Sequence, residues 1–353
     1  MEEAAALKAV VAELSGRFEM EAWSRLGRGH IHRTYEVRAR EEGVERTLVV
    51  QRINRTVFPD CRPLAANLEW MIERTRGMGV GIPAVFRFRT GQLFREDASG
   101  TWRVMERVEG DCLEVIDTPE RAREAARAFA AFVFCLDGEP RLPWAVVLPG
   151  FHDTPSRLAR LDEARSRASV ERLGACREEL AFVEAWRDRA GRLAAVLDSG
   201  GLPARVAHHD AKLNNVLFDR ESGRVRAVLD LDTVMPGTPL YDLGDLIRTA
   251  SHRGAEDERD LSKVRIDPEL LQALCEGYRE GAEGALTGAE EAWMLPAGVT
   301  ITLETGVRFL TDYLDGDRYF ATSRPDQNLD RCRTQFELVR QLAAWIPKGC
   351  HGI

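Results

Sequence analysis

The chain has 353 residues, with 57 acidic side chains against 49 basic ones and a formal net charge of -8. That balance opposes a nucleic-acid-binding surface, which needs a basic stripe, and no run approaches the ~18 apolar residues of a membrane span. With 44% hydrophobic and 30% charged residues, the composition is that of a soluble globular protein, long enough for two lobes that share a cleft.

The first 18 residues, MEEAAALKAVVAELSGRF, open acidic and repeat apolar residues at helical spacing. They read as a surface helix rather than a secretory signal, which starts basic and carries a continuous apolar run. Leu26 to Gly29 and then Thr34 to Arg38 form a strand pattern interrupted by glycines, and Thr47 to Ile53 is β-branched and apolar, a central strand. A Glu-Glu-Gly turn in 39–46 joins them. Leu64 to Gly77 has helical periodicity and stops at glycine. Pro83 to Arg89, Gln92 to Arg95 and Thr101 to Val108 complete a small antiparallel sheet, so the reading is five strands with a helix after the third.

Beyond Gly110 the pattern turns helical: Arg121 to Leu136, Ser156 to Arg165, Arg177 to Leu197, Leu240 to Ser251, Pro268 to Glu280, Leu295 to Leu314 and Asp330 to Trp345. One hairpin interrupts it, with strands Asn215 to Asp219 and Val225 to Leu231 around a Glu221-Ser222-Gly223 turn. The expected fold class is therefore α+β and bilobal: a β-rich lobe over 1–108 and a mostly helical lobe over 109–353, hinged near Glu106 to Asp111. The seven cysteines, from Cys61 to Cys350, include no C-x-x-C. They read as free thiols of a reducing cytoplasm, in a protein that is a monomer or weak homo-oligomer without membrane or nucleic-acid partners.

The chemistry concentrates in His208-His209-Asp210-Ala211-Lys212-Leu213-Asn214-Asn215 and, on the returning hairpin strand, Val228-Leu229-Asp230-Leu231-Asp232. Phosphoryl transfer from ATP needs a carboxylate for the acceptor hydroxyl, hard oxygen ligands for Mg²⁺ and a cation for the transferred charge. Asp210 can be the base, Asn215 and Asp230 the Mg²⁺ ligands and Lys212 the cation, and the hairpin brings them together. A zinc site on His208 and His209 is the rival, but adjacent residues rarely ligate one ion and no third ligand stands at the right spacing.

This pattern, His-x-Asp-x-x-x-x-Asn followed by Leu-Asp, resembles the catalytic signature of the aminoglycoside phosphotransferase and choline kinase superfamily, distant relatives of protein kinases. Leu229 to Gly237, Tyr241 to Arg248, Gly29-His30-Ile31, Gln51 to Asn54 and Thr302 to Leu314 with Gly316-Asp317-x-Tyr319-Phe320 look like its N-acetylhexosamine 1-kinase branch. The resemblance implies a small-molecule kinase that moves the γ-phosphoryl group of ATP to the anomeric hydroxyl of an N-acetylhexosamine. The alternatives are an aminoglycoside-, choline- or homoserine-like acceptor on the same fold, or a nucleotide-binding pseudokinase. The resemblance also distributes roles. Gly27 and Gly29 would let the backbone approach the ATP phosphates, and Met105-Glu106-Arg107-Val108 would bind adenine through its backbone. Gln51 or Arg52, which point to opposite faces of one strand, stands where relatives carry a phosphate-pairing lysine or arginine. Glu69 or Glu73 is the candidate helix partner. His30, Asp210, Thr233, Arg308 and Tyr319 would contact the sugar, and His208 would brace the loop. His32 replaces the branch's usual asparagine. Asp232 could touch the metal or a neighbouring group, and Asp242 and Asp245 read as carboxylates favouring a helix N-terminus.

Overall fold

The structure is a computed structural model that describes residues 2–27, 31–138 and 142–346. Helix α1 (Glu2–Ala12) leads into strands β1 (Phe18–Arg25), β2 (Arg33–Glu41) and β3 (Val44–Arg52). After α2 (Arg62–Arg74) come β4 (Arg95–Asp97) and β5 (Gly100–Glu106), giving an antiparallel sheet in the order β1-β2-β3-β5-β4. The helical part follows: α3 (Pro119–Leu136), α4 (Thr154–Arg167), α5 (Val170–Ala175), α6 (Arg177–Ala190), α7 (Arg192–Asp198), α8 (Pro239–Ala250), α9 (Pro268–Gly281), α10 (Gly288–Leu314) and α11 (Gln327–Ala344). It is interrupted by β6 (Arg205–Ala207), which pairs with β9 (Met235–Gly237), and by the hairpin β7 (Val216–Phe218) and β8 (Val225–Val228).

The sheet has the strand count read from sequence but a different membership. The N-terminal helix ends at Ala12, Gly16 turns the chain at φ +128, and the alternating Phe18–Arg25 becomes the first strand in place of Leu26 to Gly29. The segment from Pro83 to Arg89 is not a strand. Its β-type pairing among the described residues is limited to isolated bridges, Val85 to Met105 and Phe88 to Leu14. The long helix expected from Arg177 to Leu197 is broken at Gly191, which packs against Pro155, and α5 escaped the periodicity because its six residues bury none of their side chains.

Alternation along β3 and β5 decides which face looks where. Leu48, Val50, Trp102 and Val104 are buried with Tyr35 and Val37 beneath Leu7, Val10, Val11 and Leu14 of the first helix and its turn. The first helix is thus held by apolar burial worth roughly 1.5–3 kcal/mol per fully covered side chain. The alternate positions, Gln51 and Arg103, directly opposite each other in register, face the helical part.

The two parts are stitched at several points. The backbone of Asp111 exchanges hydrogen bonds with Phe218 at 2.9 Å each way, and Gly110 lies so close to Phe218 O that an added Cβ would stand 2.5 Å from it. Gly81 similarly brackets the second hairpin strand, donating to Arg226 O and accepting from Val228 N. Asn67 of α2, fully buried, bonds both the amide and the carbonyl of Ala145 and the carbonyl of Val234.

Candidate active site

The loop 208–215 is held by its surroundings rather than by regular structure. Asp242, at the start of the buried α8, accepts the amides of His208 and His209, each at 2.7 Å. Burial pushes its carboxyl up to about 7 in spite of these two bonds. So Asp242 does more than favour a helix dipole: it fixes the loop backbone, and Asp245 pairs with Arg248. His208 is fully buried, edge-on to Phe129 and Phe132. Its Nδ1 accepts the amide of Asp210, so Nε2 carries the proton and donates to Leu229 O at 2.9 Å. This single side chain ties the loop to the hairpin's end, and Leu229 N closes the tie from the other side by donating to Asn215 O.

These constraints bring Asp210, Lys212, Asn215 and Asp230 together. Lys212 Nζ lies 2.8 Å from Asp210 Oδ2, and Asn215 Nδ2 donates to the same oxygen at 3.0 Å and to the Asp210 carbonyl at 2.7 Å. Burial alone would raise the Asp210 carboxyl, but the Lys212 ammonium and the Asn215 amide hold it below the usual carboxylate range. Asp230 is pushed up to about 6, by burial and then by the neighbouring Asp210 and Asp232 carboxylates. His209 and Asp230 both adopt left-handed backbone, φ 66 and φ 56, a conformation that costs a non-glycine residue of order 1–3 kcal/mol and collects at functional sites.

A carboxylate desolvated beside two others is a place where a divalent cation relieves repulsion. Asn215 Oδ1 and the Asp230 carboxylate are hard oxygen donors of the kind Mg²⁺ takes. Among the described residues no group of three His, Cys, Asp or Glu gathers as a metal cluster.

Asp232 faces the sheet. Its Oδ1 accepts from Arg103 Nη1 at 2.5 Å, and its Oδ2 accepts from Arg103 Nη2 and from His32 Nε2, both at 2.8 Å. His32 Nδ1 in turn accepts the Asn54 amide, and Arg103 Nη2 also reaches Gln51 Oε1. Arg103 therefore brings a cation to the cleft face of the sheet, next to Gln51, a residue that sequence reading passed over. The signal was present only as cross-strand register, since Arg103 lies three positions before the hinge. Arg52 lies on the other face, its guanidinium over the Trp102 ring. Neither Glu69 nor Glu73 partners the strand: Glu69 pairs with Arg87 on the surface, Glu73 is exposed, and the carboxylate that answers the sheet is Asp232.

Gly27 takes φ +67 after the first strand, while Gly29 and His30 lie outside the described residues. At the hinge, Glu106 N donates to Ala84 O and the Val108 carbonyl accepts from Arg107. The Val108 amide makes no hydrogen bond among the described residues. Thr233 Oγ1 donates to His208 O at 2.6 Å. Arg308 is half-buried between the rings of Phe151 and Phe320, 6.0 and 5.5 Å from their centroids, in no ion pair among the described residues. Tyr319 is 68% exposed and edge-on to Phe320, on a turn whose amides at 318, 319 and 320 are gathered by Asp312.

A five-stranded sheet hinged to a helical body, with a braced Asp-Lys-Asn loop facing an aspartate at a hairpin end, defines a kinase-like phosphotransferase. Residues 22–287 match the model of the phosphotransferase enzyme family (APH), and the chain belongs to that family. Solved structures of low identity share the fold. A microcompartment-associated aminopropanol kinase is 18% identical with a TM-score of 0.63, covering 99% of this chain and 98% of that one. Spectinomycin phosphotransferase APH(9)-Ia, in complex with ADP and spectinomycin, is 11% identical with a TM-score of 0.60 over 96% and 98%. Choline kinase from Cryptosporidium parvum Iowa II is 11% identical with a TM-score of 0.58 over 92% and 89%. Among the described residues no helix is long and apolar enough to cross a membrane.

Proposed function

We propose that the enzyme is a small-molecule kinase that transfers the γ-phosphoryl group of ATP to a sugar hydroxyl, with the anomeric hydroxyl of an N-acetylhexosamine as the acceptor. The observation that carries the kinase reading is the convergence of Lys212 and Asn215 on one carboxylate oxygen of Asp210, beside Asp230. The sugar reading rests on the sequence resemblance and on the polar and aromatic groups at Arg308, Tyr319 and Thr233.

Asp210 orients the acceptor hydroxyl and takes its proton. The hydroxyl oxygen bonds to the γ-phosphorus as the bond from that phosphorus to the β–γ bridging oxygen breaks, and ADP leaves with the electron pair. A carboxylate kept ionised by Lys212 is suited to positioning first and accepting the proton late. Mg²⁺, with Asn215 and Asp230 as its protein ligands, would supply charge neutralisation on the phosphates. Gln51, held by Arg103, offers the sheet's polar contact to the nucleotide, Gly27 the tight turn near the phosphates, and the Val108 amide with the Glu106 backbone the adenine contact.

The test is an ADP-release assay with N-acetylglucosamine, N-acetylgalactosamine and their deacetylated forms, with phosphorus NMR of the product. Asp210→Asn should lower turnover by about 10²–10⁴-fold, the span of a lost general base. Full turnover in that variant removes the base assignment, and a phosphate on O6 removes the anomeric one. Mg-ATP binding without turnover of any acceptor would favour a pseudokinase.

A further inference from the structure

Two arginines beside Phe151, the neighbour of His152, form no ion pair among the described residues. Arg157 of α4 donates Nη2 to Phe151 O at 2.8 Å. Its Nε is buried without a partner, and its Nη1 makes no hydrogen bond among the described residues. Arg308 lies against the ring of that same Phe151. The two guanidinium charges repel, and burial with this repulsion lowers the proton affinity of Arg157. Arg160, one helical turn further, adds a third positive charge at the exposed rim.

The nearest acid is already committed. Glu304, one turn before Arg308 on α10, gives Oε1 to His152 Nδ1 at 2.9 Å and Oε2 to Thr154 Oγ1 at 2.6 Å. Both ring nitrogens of His152 face acceptors, Glu304 Oε1 and the His209 carbonyl, so the imidazole carries two protons and the Glu304–His152 pair is neutral as a unit. Glu304, shared with His152, offsets the positive charge of the arginines only in part, and in a half-buried place desolvation of the remainder is costly unless a counter-anion binds. The same pair connects them to the reacting centre: His152 Nε2 donates to the carbonyl of His209, the residue before Asp210. The rings of Phe151 and Phe320 lie against Arg308, and Tyr319 stands edge-on to Phe320, so the surroundings are aromatic as suits a ring-shaped ligand.

We infer that Arg157 and Arg308 form an oxyanion subsite, so that the acceptor carries a carboxylate or phosphate as well as the hydroxyl that Asp210 orients. Resting on the kinase reading above, this makes the substrate an acidic sugar, an N-acetylhexosamine uronate or 6-phosphate, rather than the neutral sugar or a cationic alcohol. Guanidinium pairs bind planar oxyanions through parallel N–H donors and discriminate strongly against acceptors that leave those donors empty.

The experiment has a binding arm and a turnover arm. Calorimetry measures N-acetylglucosamine, its uronate and its 6-phosphate on the full chain without nucleotide, in wild type, R308M, R157M and R308K. One or both anions should bind at least tenfold more tightly than the neutral sugar. That preference should collapse in both methionine variants and survive in part in R308K. The uronate and phosphate arms tell the two oxyanion sources apart. Equal binding of neutral and anionic sugars by wild type overturns the inference, as does a preference untouched by R308M and R157M. ADP release with the same acceptors then tests the kinase reading separately: anion-selective binding without turnover sinks that reading and leaves the subsite standing, while turnover of the neutral sugar with no anion preference does the reverse.

Discussion

The Asp232–Arg103–His32 network joins the sheet to the helical body, and removing the Asp232 carboxylate tests whether it holds them together. Asp232, Arg103 and His32 are 4, 3 and 7% exposed, so Asp232→Ala leaves a desolvated guanidinium whose one remaining polar contact is Gln51 Oε1. Breaking one side of a buried ion pair costs about 3–5 kcal/mol, because the surviving charge has no counter-charge. At ~2.1 cal/mol/K of unfolding entropy per residue, a chain this long has an unfolding entropy near ~0.7 kcal/mol/K, so the midpoint should fall by about 4–7 °C. Differential scanning calorimetry with and without Mg-ATP reads the effect. Arg103→Met should fall by a similar amount. The double variant Asp232→Leu with Arg103→Met should recover at least half of the loss, because replacing a whole buried pair by apolar groups is often neutral. A drop below about 1 °C in Asp232→Ala, or fully additive losses in the double variant, would refute the reasoning that charge pairing couples the parts.

Two further outcomes follow from packing and titration. Gly277→Ala should destabilise by about 1–3 kcal/mol in chemical denaturation, since its Cβ would stand 2.1 Å from Arg123 O where α9 crosses α3; unchanged stability would mean that the crossing is looser than it stands here. The Glu304–His152 pair should make stability depend on pH. The Glu304 carboxyl is held below its usual range, burial being outweighed by His152 and Thr154, and His152 is held above its own. The Glu304 contribution is present above its unfolded pKa of roughly 4.3 and is lost as pH falls through the folded value. The His152 contribution is present below roughly 6.5 and is lost as pH rises through the folded value. The melting-temperature gap between wild type and Glu304→Gln should therefore be widest near pH 5.5 and narrow toward both pH 3 and pH 9, and a gap independent of pH contradicts the pairing.

What could be read in the sequence was whatever depends on contiguous residues. The spacing from His208 to Asn215, with Asp230 on the next strand, carries its chemistry through a short loop and one tight hairpin, so linear distance constrains spatial distance. The amphipathic helices and the β-branched strand over Thr47 to Ile53 were legible for a similar reason, since each shows its period within its own span. The residues that tertiary structure alone assigned come together across long separations. Arg103 meets Asp232 because β5 pairs with β3 and turns that face toward the hairpin's end. Arg157 joins the neighbourhood of Arg308 because its guanidinium reaches the carbonyl of Phe151, whose ring lies against Arg308. The face of Arg52, the true first strand and the absence of a strand at Pro83 to Arg89 were decided by which apolar positions the first helix covered. Local pattern can specify a strand's alternation, but only the partner packed against it settles which of its two faces is the inside.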